Sequence, residues 1–196
     1  MKRLKQLSLI LFISVGLFSC EAEKADAEIT NEYLTGKQIF RCDVDGVTRV
    51  TDSVIVSSNG ANISITAYLL SRDTLESQKY KYDTFTINFN KLGTGNYISS
   101  LGNVVIDETL GVSNASYKQS GKNWAYSTDN LNLDPITTPS VNLQTGNLVI
   151  SDINDKAKYF GGEFQYDIYP PKKENPNNTI APIRIRNGAF QYLRYN

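Results

Sequence analysis

The chain of 196 residues has no histidine, one methionine, one tryptophan and two cysteines. Without histidine, Ser-His-Asp and Cys-His nucleophile systems, imidazole metal sites and imidazole pH switches are all excluded. Neither charge sign is in excess: Lys+Arg and Asp+Glu each number 20, and the formal net charge is zero. A neutral chain with 20% charged residues carries no electrostatic footprint for nucleic acid. The longest apolar run, Leu7 to Phe18, is broken by Ser8, Ser14 and Gly16. It falls short of the ~20 residues needed to span a bilayer core of ~30 Å. What is present is β-forming: 12 tyrosines, 8 phenylalanines and 40% hydrophobic residues, enough to build a core and to exclude a disordered chain.

The first twenty residues have the form of an export signal. Lys2, Arg3 and Lys5 precede the apolar run, and Leu17-Phe18-Ser19-Cys20 resembles a bacterial lipobox. The resemblance implies cleavage before Cys20 and acylation of its thiol and its new amine, because one acyl chain alone anchors only marginally. Residues 1–19 are thus expected to be a lipoprotein signal peptide and residues 20–35 an acidic flexible tether. Removing the signal leaves 17 basic and 20 acidic side chains. Cys20–Glu32 accounts for the deficit with five acids against Lys24, so the domain expected over residues 36–196 is nearly neutral. With Cys20 lipidated, Cys42 has no disulfide partner and is expected to be a buried small hydrophobe.

From Gln38 the pattern is short strands punctuated by turns. Asp45-Gly46 and Asn59-Gly60 are hairpin signals. Asn62–Leu70 and Tyr80–Asn90 alternate apolar and polar residues along their lengths. Thr48–Ser57 reads as one strand, and Thr145-Gly146-Asn147 as a turn between two short strands. Thr74–Lys79 is the best candidate for a helical turn, Asn103–Asp107 for a further short strand, and Pro170–Pro182 is expected to be an exposed loop. Strand signals every 8–15 residues without a convincing helix predict an all-β fold, an antiparallel β-sandwich, with a lipocalin-like β-barrel as the alternative.

Gly162-Glu163-Phe164-Gln165-Tyr166 followed by Ile183-Arg184-Ile185-Arg186-Asn187-Gly188-Ala189-Phe190, with Phe40–Gly46 and Gly95-Asn96-Tyr97 upstream, resembles uncharacterised small lipoproteins of Bacteroidetes-type bacteria. The resemblance implies a β-fold and an envelope address, and it transfers no catalytic residue. In such lipoproteins acidic residues after the lipidated cysteine resemble a surface-export signal, and Glu21-Ala22-Glu23 looks like it. Asp52-Ser53-Val54 and Asp73-Thr74-Leu75 resemble the O-glycosylation sequon of exported proteins in these bacteria, which implies exposed Ser53 and Thr74.

Tyr117, Trp124 and Tyr126 gather around one hairpin and form the candidate ligand platform, with a core role for the lone tryptophan as the competing expectation. Asp129, Asn132 and Asp134 place oxygen ligands close enough for calcium, though Asx residues also cap loops. Glu163, Gln165 and Asp167 share one strand face and are expected to be a solvated surface rather than a catalytic pair. No enzyme activity, metal or cofactor is expected. The expected role is non-catalytic binding or structure at the cell envelope. The chain would be anchored to the outer membrane by lipid, on its periplasmic or outer surface, with an envelope protein or a glycan as partner. A glycan-binding accessory lipoprotein is the second expectation and a carboxylate-dependent hydrolase the third.

Overall fold

The computed structural model describes residues 36–60, 62–71, 81–101, 111–130 and 143–195. Cys20, the tether, Thr74–Lys79, Asn103–Asp107, Asn132 and Asp134 lie outside the described residues. Gln38–Asn196 forms a compact unit of its own.

Eleven strands run in the order β1 (Ile39–Val44), β2 (Val47–Thr51), β3 (Val54–Asn59), β4 (Asn62–Leu70), β5 (Tyr82–Asn90), β6 (Gly95–Leu101), β7 (Gly111–Lys118), β8 (Tyr126–Ser127), β9 (Leu143–Asn154), β10 (Tyr159–Ile168) and β11 (Ile183–Arg194). A 3₁₀ turn at Thr128–Asn130 follows β8, and no α-helix occurs among the described residues. Asp45 and Gly46, both at positive φ (49° and 78°), make the tight β1–β2 turn that the Asp-Gly pair predicts.

The strands share one hydrogen-bonded path, β2-β1-β11-β10-β9-β6-β7-β5-β4-β3, with β8 added to β7. Every pairing is antiparallel except β6–β7, which is parallel through Tyr97↔Gly111 and Ile98↔Val112. The two ends of the path, β2 and β3, are consecutive in sequence and separated only by Asp52 and Ser53. The expected single strand over 48–57 is therefore split by a corner, and the sheet curls until its edges approach. Arg49 Nη1 on β2 donates to the Leu70 carbonyl at the end of β4 (2.9 Å). Gln38 Nε2 donates to the carbonyls of Asp52 (2.7 Å) and Val54 (3.0 Å). The result is an all-β, nearly closed barrel in which Phe40 of β1 and Phe164 of β10 meet Phe85 of β5 across the core. Sandwich and barrel descriptions meet in this shape.

Alternation decides what faces inward. Phe40, Phe85, Phe160, Phe190, Tyr97 and Tyr166 are fully buried. Each such ring contributes about 1.5–3 kcal/mol through burial. Phe164 lies 5.0 Å from Phe40, 5.5 Å from Phe85 and 6.1 Å from Phe190 between ring centroids. Rings from both halves of the sheet thus interdigitate and fill the interior. Gly188 exists to accommodate this cluster, because a Cβ there would overlap the Phe164 ring. Gly146 serves β9 in the same way: it lies under Tyr166 in an unbroken strand, not in the turn that Thr145-Gly146-Asn147 predicts. The segment 170–182 is an ordered loop built on buried Asn175, whose side chain bonds both the amide and the carbonyl of Ile180.

Candidate functional site

One end of the barrel places a carboxylate on the inward side of an alternating strand. Asp83 opens β5 on the same side as Phe85 and Ile87, and it is buried (5% exposed). Its carboxylate accepts the Tyr117 hydroxyl at 2.5 Å and the Ser120 amide at 2.8 Å. Burial first, and then the bond to Asp83 and its charge, push the Tyr117 phenol well above its ordinary range, so it stays a protonated donor. Arg49 approaches from β2, and its Nε is buried without a hydrogen-bond partner. Together with Asp45 and Lys122 these residues line a cavity of about 210 Å³. Arg49 and Asp83 make no ion pair with each other within 4.0 Å, so the cavity presents both signs of charge to its contents.

The predicted platform adjoins this cavity. Trp124 and Tyr126 stand 4.9 Å apart and tilted by 52°. Lys122 Nζ sits 4.9 Å from the Trp124 ring centroid, a cation–π geometry. Tyr117 lies on β7 and Tyr126 on the two-residue β8, while Trp124 precedes β8 in the loop. Tyr126 (6% exposed) and Tyr117 (2%) pack into the core, while Trp124 is partly buried against it. Of the three, Trp124 alone retains accessible ring surface. Sequence reading missed Asp83, Arg49, Ser120 and Lys122. The available signal was Asp83 in phase with Phe85, Ile87 and Phe89, a charge on the apolar side of an alternating strand.

The carboxylates of β10 do not converge. Asp167 forms an ion pair with Arg186 Nη2 (2.5 Å), whose Nη1 donates to the carbonyls of Tyr166 and Ile185. Glu163 lies four residues away, about 13 Å along an extended strand. Paired glycosidase carboxyls stand about 5–9.5 Å apart. Glu163 instead lines a shallow surface depression of about 510 Å³ with Arg41, Asn147, Gln165, Asn187 and Ala189. Cys42 is fully buried, and burial together with the Asp43 charge pushes its thiol up to about 12, which removes it as a nucleophile near neutrality. Asp129 lies within the 3₁₀ turn: its amide donates to the capping Ser127 Oγ (3.1 Å) and its carboxylate accepts the Thr128 hydroxyl (3.3 Å). Among the described residues no group of three His, Cys, Asp or Glu could hold a metal ion. Ser53 is exposed at the β2–β3 corner.

No family model, no curated protein and no solved structure matches the chain.

Proposed function

We propose that this chain is a lipid-anchored envelope protein whose β-domain binds a ligand without catalysis, on its exterior. The observation that carries this is the filled interior: Phe40, Phe85, Phe164 and Phe190 occupy the space where a lipocalin-like barrel would hold a ligand. The anchor follows from the basic start, the short apolar run and Cys20. Cys20→Ala is expected to release the protein from membranes into the soluble fraction, and continued membrane association would refute the anchor. Protease treatment of intact cells separates surface display from the periplasmic face.

A second site of interest is the Trp124 end. The partly accessible indole, with Lys122 on its ring beside a cavity of mixed charge, supports a role in contacting a ligand. Quenching or shifting of Trp124 fluorescence by the bound ligand is the expected signature. An unchanged spectrum at saturation would assign Trp124 to packing.

A further inference from the structure

We infer that the outer face of β3, β4, β5 and β7 is a binding face for a neutral polysaccharide. This rests on the non-catalytic binding role proposed above but uses a different surface from Trp124. The register of these strands sends seventeen side chains outward, and Lys118 is the one charged residue among them. The opposite half of the barrel differs: its outer surface carries Arg41, Asp43, Glu163, Asp167 and Arg184. In a chain with 20% charged residues, the neutral face stands out. Its centre is a field of hydroxyls and amides, with Ser64, Thr66, Thr86, Asn88, Asn114 and Ser116 in adjoining cross-strand positions.

Part of this field is already held in place. Asn88 Nδ2 donates to Asn114 Oδ1 (3.0 Å), the Thr66 and Thr86 hydroxyls lie 3.4 Å apart, and Asn90 Oδ1 accepts the Val112 amide (2.8 Å). The asparagine end opens onto a depression of about 620 Å³ that reaches past the face to Ile98 and Ser99 of β6 and to Asp129. Among the described residues, Ile55 (56% exposed), Leu70 (45%), Tyr82 (50%) and Val112 (63%) are four of the six large hydrophobics left exposed, and all four lie on this face. Apolar and aromatic groups around a bed of neutral donors and acceptors match the chemistry of a sugar polymer, which alternates C–H surface with hydroxyls. For a charged polymer this face offers Lys118 near one end and Asp129 near the other, and no cluster of either sign. A second protein surface would have to satisfy each buried hydroxyl and amide individually, at a cost for every one it missed.

The test uses the chain from residue 20 with Cys20→Ala, in affinity electrophoresis through dextran, amylose, galactomannan and mixed-linkage β-glucan, with polygalacturonate as the charged polymer. Retardation is expected by at least one neutral polymer and not by polygalacturonate. Tyr82→Ala and Ser64→Lys are expected to weaken that interaction about tenfold, with unchanged circular dichroism and melting, while Trp124→Ala leaves it intact. Absence of retardation by all four neutral polymers, or equal retardation by polygalacturonate, would overturn the inference. So would retardation lost in Trp124→Ala but kept in Tyr82→Ala, or a dimer in sedimentation that Tyr82→Ala dissolves. Release of reducing ends from a polymer whose binding Tyr82→Ala still weakens would support the face while overturning the non-catalytic role.

Discussion

Phe164→Ala is the most direct test of a filled interior. Phe164 is 4% exposed and stands between Phe40 on β1, Phe85 on β5 and Phe190 on β11. Truncation removes the ring and leaves a void beside Gly188, which has no side chain to move into it. Phenylalanine-to-alanine changes in cores cost about 3–5 kcal/mol. The upper half of that range applies here, because the neighbouring rings belong to strands hydrogen-bonded on both sides that cannot close inward. For a domain of this size ~2–4 °C of melting temperature is lost per kcal/mol, so a drop of roughly 8–20 °C is expected by calorimetry. Urea unfolding followed by tyrosine fluorescence gives the free energy independently. An apolar void of this kind takes up benzene, so benzene should raise the melting temperature of the variant and leave the wild type unchanged. A cost below about 1 kcal/mol, or stoichiometric benzene uptake by the wild type, would show that the interior already holds a ligand-sized space.

Three further outcomes follow from the geometry. Tyr117→Phe deprives the buried Asp83 carboxylate of its hydroxyl donor and is expected to cost about 1.5–3 kcal/mol in urea unfolding; a loss under 0.5 kcal/mol would place water in that bond. Cys42, its thiol raised to about 12, is expected to resist iodoacetamide at pH 8 until urea unfolds the domain, and rapid labelling of the native protein would contradict its burial. The buried phenols of Tyr97, Tyr117 and Tyr166 are all raised above their ordinary value of 10.0. In alkali the unfolded chain loses these protons first, so their contribution is intact below pH 10 and declines as pH rises beyond it. The urea midpoint should therefore fall above pH 10, and a midpoint that rises there would reverse the sign.

Much of the architecture is legible in the sequence where a single face is buried. Asn62–Leu70 alternates cleanly because β4 has the core on one side and solvent on the other, and its strand matches the expected bounds. Asp45-Gly46 is legible because its turn demands positive φ. Gly146 misleads because a glycine that lets Tyr166 approach closely looks the same in sequence as one that turns the chain. The corner at Asp52-Ser53 is hidden because β2 and β3 share the same composition, and only the closure of the barrel separates them. The polar cavity is hidden for a similar reason. Asp83, Arg49 and Ser120 come from β5, β2 and the loop after β7, far apart in sequence, and what unites them is barrel geometry. Tyr117 and Trp124, by contrast, are found together because one hairpin carries both.

The position of β1 has a mechanical consequence. The chain enters the domain at β1, which lies between β2 and β11 and is hydrogen-bonded to both. Antiparallel ladder bonds run perpendicular to the strand, so a pull along β1 from its N-terminal side loads many of them at once instead of breaking them in turn. A domain tethered at that end and gripping a partner elsewhere would resist extraction by shear across two ladders, and its lifetime under load would be set by the unfolding rate rather than by equilibrium stability.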